Sequence, residues 1–257
     1  MLADPYDAIL LDLDGVLYRG PEPIDGSAEA VERLRGAGKR LAFVTNNSSR
    51  TPQHVVERLA SVGVRAAPDE VVTSALATAT LLARRGVRTA FVIGEDGLLS
   101  ALAAAGIRTV DRVAGERVDA VVIGVDRGVD YAKLRDASVL VASGATLIAS
   151  NPDASFPAPG GESWPGAGAL LAAVETTTGV RGEVVGKPQA PLLMTALERA
   201  GGGRPLLVGD RLDTDVAGAA GLGWDSALVL TGSTRRSDVA SSPWAPTFVI
   251  GSLADLA

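Results

Sequence analysis

Asp7-Ala-Ile-Leu-Leu-Asp-Leu-Asp-Gly-Val-Leu17 is the stretch on which the reading of this chain turns. Ala8 to Leu11 form an unbroken apolar run that ends in two carboxylates, Asp12 and Asp14, and then a glycine. A short apolar run bounded by a turn signal reads as a strand buried on both faces, the kind found at the centre of a parallel sheet. Carboxylates at the end of such a strand are costly unless something pairs with them, and a divalent cation is the usual partner.

Outward from that strand, apolar runs alternate with Ala/Leu/Arg segments of helical period along the whole chain. This alternation predicts an α/β protein with a mainly parallel, Rossmann-like sheet. Strands are expected at Ala8–Asp12, Arg40–Thr45, Val71–Thr73, Arg204–Asp210, Ser226–Leu230 and Thr247–Ile250. A helix is expected from Ser27 as N-cap, with Glu29 and Glu32 in its first turns. From about Leu76 the rhythm restarts, and residues 76–180 read as a second α/β module inserted into a core made of 1–75 and 181–257. The Gly/Pro-rich stretch 154–168 carries Phe156 and Trp164 and is too long for mere connection.

The chain has 257 residues, 47% of them apolar and 21% charged, which is the composition of a globular protein with a full core. A net charge of −6, with basic residues scattered, argues against nucleic-acid binding. There is no cysteine, so disulfides, zinc-thiolate sites and thiol nucleophiles are excluded. The N-terminal residues lack the basic and long apolar regions of a leader or membrane span. A cytoplasmic protein without membrane partners is the expectation.

Three strand ends carry polar clusters: Asp12 with Asp14, Thr45 with Asn46, and Asp210 with Asp213 and Asp215. Ligands of open parallel sheets bind outside the carboxyl ends of the strands, so neighbouring strands would bring these clusters to one crevice. Lys187, before Pro188, can reach in from a fourth segment. Such a concentration of carboxylates needs a cation, and an all-oxygen ligand set suits Mg²⁺, with Asp12 and Asp210 as direct ligands. At ~4 Å, two unit charges interact by ~4 kcal/mol at an effective dielectric near 20, so an unshielded carboxylate would repel a phosphate. Mg²⁺ and the Lys187 ammonium offset that repulsion. The chemistry that fits is phosphoryl transfer, with Asp12 as nucleophile and Asp14 as general acid and then base. The Thr45 hydroxyl and the Asn46 N–H would be donors to the phosphoryl oxygens.

Asp-Leu-Asp-Gly-Val-Leu (12–17), Phe-Val-Thr-Asn-Asn-Ser (43–48), Gly-Lys-Pro (186–188) and Gly-Asp-Arg-Leu-Asp-Thr-Asp (209–215) stand in the order of the four motifs of haloacid-dehalogenase-like phosphatases. The Thr-Asn-Asn form of the second motif and the long insert after it resemble the class IIA branch, which includes NagD, p-nitrophenylphosphatase and phosphoglycolate or glycerol-phosphate phosphatases. The resemblance implies a mobile α/β cap on the core, and Mg²⁺ bound by Asp12, the Asp14 main-chain carbonyl and Asp210. It implies that Thr45, Asn46 and Lys187 bind phosphate, and that Asp215 supports waters of the metal. Asp213 matches no family ligand and reads as a turn residue. The implied activity is hydrolysis of small phosphomonoesters through an aspartyl-phosphate.

The family's cap selects the leaving group, and the candidates here are Asn151, Asp153, Phe156, Trp164 and the turn Pro165–Gly168. A homo-oligomer built through the cap is a further expectation of the resemblance. His54 is the only histidine and reads as a surface or helix-start residue; Lys39 and Lys133 read as solvated. A phospho-accepting receiver domain shares the Asp/Thr/Lys set, but is about half this length and lacks the insert. A catalytically silent binding protein would have no use for Asp12, Asp14, Lys187 and Asp210 together. A phosphotransferase or mutase would use the same residues and differ by excluding water.

Overall fold

The structure, a computed structural model, describes residues 1–110 and 117–257. The chain divides into two units: Met1–Thr45, Pro52–Val72 and Lys187–Ala257 form one, Asn46–Thr51 and Thr73–Gly186 the other.

The first unit is built on a six-stranded sheet in the order Phe248–Ile250, Asp225–Val229, Pro205–Gly209, Ala8–Leu11, Arg40–Thr45, Val71–Thr73. Ala8–Leu11 lies in the middle, parallel to Pro205–Gly209 on one side and to Arg40–Thr45 on the other. All four of its residues are fully buried, as an apolar run without alternation requires. Helices cover the sheet through one apolar stripe each. Ser27–Gly36 buries Ala30, Val31 and Leu34, and Pro52–Ser61 buries Val55 and Leu59, spacings of three and four residues that put each set on one helix face. These side chains join Ile9, Leu11, Phe43, Leu206 and Val208 in one core cluster.

The second unit repeats the principle with a five-stranded parallel sheet, Glu183–Val184, Thr146–Ala149, Ala120–Ile123, Thr89–Ile93, Arg108–Val110. Phe91, Ile93, Val121, Ile123 and Leu147 fill its core with Ala137, Leu140 and Val141 of the helix Tyr131–Ala142. Its first segment, 46–51, falls inside the stretch the sequence reading gave to the core. Gly97 N–H donates to Ser49 O at 3.1 Å and Asn151 Nδ2 to Asn46 O at 2.8 Å, which ties that segment into the second unit.

Several local expectations are corrected. Ser27 is not the N-cap: Gly26 holds that position with φ +75°, and the Ser27 hydroxyl turns inward to donate to Ile24 O at 2.6 Å. The stretch 154–168 contains a ribbon, Ser155–Pro157 antiparallel to Ser163–Pro165, with Phe156 opposite Trp164. Their rings meet edge to face, centroids 6.2 Å apart. Lys39 and Lys133 are not simply solvated: Lys39 Nζ donates to Tyr6 O at 2.7 Å, and Lys133 forms an ion pair with the buried carboxylate of Asp126. Among the described residues no helix is long and apolar enough to cross a membrane.

Candidate active site

Register fixes which residues leave the sheet together. Leu11 is paired with Phe43 on one neighbour and Val208 on the other. One to two residues further on, Asp12, Thr45 and Asp210 therefore emerge at the same carboxyl edge. Ala8–Leu11 is also where the chain order switches direction in the sheet, the position at which open α/β sheets hold ligands.

Asp12 is held by its own N–H, which donates to Val208 O at 2.9 Å. Its Oδ1 lies 2.7 Å from Nζ of Lys187, whose side chain is only 3% exposed. The same ammonium is 2.7 Å from Oδ1 of Asp215, itself 1% exposed. That second contact is an ion pair without hydrogen-bond alignment, so the buried Asp215 oxygen has charge compensation but no donor aimed at it. Asp210, at the end of Pro205–Gly209, accepts the Ser233 N–H on Oδ2 at 2.6 Å. Gly15 closes the turn after Asp14 with φ +81°, and a Cβ there would stand 2.6 Å from Asp210 Cγ. Glycine is required twice over, by the left-handed backbone and by the close approach.

The charges do not balance among the protein's own groups. Oxygens of Asp12, Asp210 and Asp215 lie within 4.8 Å of one another, against the one ammonium of Lys187. Burial pushes the Asp12 carboxyl up to about 7; Lys187 opposes the shift, and Asp215 and Asp210 reinforce it. Asp210 is raised as well, by burial and then by Asp215. For Lys187, burial works against the charge, but Asp12 and Asp215 together hold the ammonium above the usual lysine range. Three clustered carboxylates with one counter-charge, an unaligned buried oxygen and no nitrogen or sulfur donor in the set fit a hard divalent cation such as Mg²⁺. Asp14 lies outside this cluster and is exposed to solvent. Partial burial and then Asp210 raise its carboxyl, while Arg58 and Arg19 oppose the rise.

Comparisons with known proteins give the family. Residues 9–108 match the family model for haloacid dehalogenase-like hydrolases, and residues 184–256 match a second model of the same kind. An acid sugar phosphatase of Staphylococcus epidermidis is 40% identical over 246 residues, 95% of this chain and 93% of the relative. The chain belongs to the haloacid dehalogenase-like hydrolases. Two solved structures place it further among them. Glycerol phosphate phosphatase Rv1692 from Mycobacterium tuberculosis, crystallised with magnesium, superposes with a TM-score of 0.93 at 36% identity, over 99% of this chain and 77% of that one. NagD from Escherichia coli superposes at 0.91 and 32% identity over 98% of both chains, in keeping with the class IIA branch.

In this haloacid dehalogenase-like hydrolase the second unit has its own cavity of about 280 Å³, lined by Asn46, Arg50, Arg127, Asn151, Asp153 and Phe156 among others. Asn46 Nδ2 donates to Asp153 Oδ2 at 3.1 Å, and Asp153 N–H donates to Asn151 Oδ1 at 3.1 Å. Asn151, Asp153 and Phe156 are thus brought together as candidates. Trp164 is not in this lining; it backs Phe156 and lines a neighbouring hollow with Val129 and Leu170. A larger cavity of about 770 Å³, beside Arg85 and Asp119, holds none of the candidate residues.

Arg127 was not singled out from sequence. It is clamped by Glu95, whose Oε1 accepts both the Arg127 N–H at 3.0 Å and Nε–H at 2.7 Å. No local motif announces that pair, since the two residues stand in separate loops. Asp213, read as a turn residue, lies instead in the helical segment Leu212–Val216, pairs with Arg211 at 2.8 Å and is not one of the clustered carboxylates. His54 lies exposed on the helix Pro52–Ser61.

Proposed function

We propose that this protein is a Mg²⁺-dependent phosphomonoester phosphatase that works through an aspartyl-phosphate on Asp12. The observation that carries the reading is the buried Lys187 ammonium, 2.7 Å from Asp12, inside a cluster of three carboxylates at the sheet's switch point. Phosphatase activity is supported by the relatives, an acid sugar phosphatase and a glycerol phosphate phosphatase.

Mg²⁺, held by Asp12, the Asp14 main-chain carbonyl and Asp210 with Asp215 behind them, would supply neutralising charge for the phosphoryl group. The remaining chemistry belongs to the chain's own groups. An Asp12 oxygen attacks phosphorus in line, and the bond from phosphorus to the ester oxygen breaks. Asp14, whose carboxyl is raised by burial and then by Asp210, gives its proton to the departing oxygen. Asp14 then takes a proton from water as that water attacks the aspartyl-phosphate, freeing inorganic phosphate and restoring Asp12. Lys187 favours the ionised form of Asp12 against the effect of burial and neutralises the phosphoryl oxygens, with Thr45 and Asn46 as further donors.

The second unit is read as the cap that selects the leaving group. Amide and carboxylate side chains with one aromatic face, as Asn46, Asn151, Asp153 and Phe156 provide, suit a small hydroxylated leaving group of the polyol or sugar type. The test is release of inorganic phosphate from glycerol phosphate, sugar phosphates, phosphoglycolate and p-nitrophenyl phosphate, with and without Mg²⁺. Mg²⁺-dependent turnover that disappears in Asp12→Asn is expected. Turnover that survives Asp12→Asn would sink the nucleophile, and no release from any member of the panel would sink the reading as a whole.

A further inference from the structure

The hairpin that follows Asp14 reaches across to a loop more than two hundred residues away in sequence. It pairs Tyr18–Arg19 with Glu22–Pro23, and the turn that leads into it from Asp14 is closed by the Gly15 N–H donating to Tyr18 O at 2.7 Å. From the hairpin, the Arg19 guanidinium donates through Nη2 to two successive main-chain carbonyls, Thr231 O and Gly232 O, the latter at 2.9 Å. The Thr231 hydroxyl returns a bond to Gly15 O at 2.6 Å. The next residue but one, Ser233, is the residue whose N–H holds Asp210 Oδ2. Between them Gly232 runs so close to Asp210 that a Cβ would fall 2.1 Å from Oδ2.

Asp14 and Asp210 are therefore carried by segments that Arg19 and Thr231 fasten together. The bonding is directional. One guanidinium nitrogen fixes the positions of both carbonyls, and holding the peptide that joins Gly232 to Ser233 aims the N–H of Ser233. A surface arginine whose only role was solvation would not converge on two adjacent carbonyls that lead directly into the N–H donor of Asp210.

We propose that Arg19 is a positioning residue that acts through the 231–233 loop to orient Asp210 for the cation and to hold the Asp14 hairpin against it. The proposal rests on the reading of Asp210 as a cation ligand. Arg19 itself is exposed; its hydrogen bonds go to the 231–232 carbonyls, while its charge also opposes the rise of the Asp14 carboxyl. Its loss should leave the apolar core as it is and loosen the site.

The measurement is calorimetric titration of the metal-free protein with Mg²⁺, alongside kcat and KM at saturating Mg²⁺ and the unfolding midpoint without metal. For Arg19→Ala the expected result is a Mg²⁺ dissociation constant raised about fivefold or more. kcat should fall about tenfold with KM within twofold, and the metal-free midpoint should stay within about 2 °C. Arg19→Lys, which keeps a cationic donor but on a shorter stem without the planar guanidinium, should recover part of each loss. Thr231→Val combined with Arg19→Ala should cost less than the two changes summed, since they release one loop. Mg²⁺ affinity and kcat both within twofold of wild type would overturn the proposal, and so would a loss of affinity tracked by an equal loss of metal-free stability across the variants. Wild-type protein that binds no Mg²⁺ would overturn the cation site as well; wild-type binding with an unaltered Arg19→Ala overturns the clasp alone.

Discussion

Lys187 and Asp12 form a buried ion pair, Nζ to Oδ1 at 2.7 Å, at a point where Asp215 competes for the same ammonium at the same distance. One cation thus serves two carboxylates, and its removal leaves both buried and unpaired. Breaking a buried pair by deleting one partner costs roughly 3–5 kcal/mol, and losing a donor to developing phosphoryl charge costs roughly 10²–10³ in rate. Lys187→Ala is expected to lower kcat/KM by about that factor and to lower the urea midpoint of the metal-free protein. Turnover within threefold of wild type would remove Lys187 from the mechanism.

Metal dependence should itself depend on pH. Burial first, then the neighbouring carboxylates, raise Asp12 from 3.8 to about 7 in the folded, metal-free protein. Between those values the folded state binds more protons than the unfolded state, so stability is greatest at the acid end of the window and declines as pH rises through 7. A cation that prefers the ionised carboxylate reverses the trend. The rise in melting temperature on adding Mg²⁺ should therefore be larger at pH 8 than at pH 5.5, and the metal-free decline should flatten in Asp12→Asn. Thermal scans across that range check both; equal Mg²⁺ shifts at the two pH values would count against the cluster as the cation site.

Gly15 stands where a left-handed backbone meets a 2.6 Å approach to Asp210. Gly15→Ala adds strain of about 1 kcal/mol from the backbone and, more damagingly, pushes Asp210 away. Stability should fall modestly while Mg²⁺-dependent turnover falls at least tenfold. A variant with full turnover would show that the site tolerates displacement of Asp210.

Selection of the leaving group is tested at Asp153, which accepts from Asn46 Nδ2 inside the second unit's cavity. Asp153→Ala should reduce kcat/KM for sugar or glycerol phosphate by roughly tenfold, on the scale of one lost hydrogen bond to a charged group, and leave p-nitrophenyl phosphate within twofold. Equal losses on both substrates would point to a structural role for Asp153 instead.

The parts of this protein that were legible in its sequence are those set by short-range pattern. Ala8–Leu11 and Pro205–Gly209 announce themselves as unbroken apolar runs, and their terminal aspartates follow from adjacency alone. The parallel register then collects Asp12, Thr45 and Asp210 at one edge without further information. What could not be read is set by contacts between distant loops. Arg127 with Glu95, and Arg19 with Thr231, are ordinary surface residues until the fold apposes them. Ser27 shows a subtler failure: its hydroxyl had an inward acceptor, Ile24 O, available only once the preceding loop had folded back. Lys133 likewise looked solvated because nothing in the local pattern shows that Asp126, seven residues earlier, is buried and faces it.

The Asp12 backbone is anchored in the interior of the sheet, its N–H bonded to Val208 O directly after four wholly buried residues. In a cooperatively folded unit, amides of that kind exchange with deuterium only when the entire unit opens. Asp12 should accordingly be among the last amides to exchange, whereas the exposed hairpin at 18–23 should exchange early. The sheet thus sets where the Asp12 backbone stands, while the hairpin and the distant loops set how the groups around it are aimed.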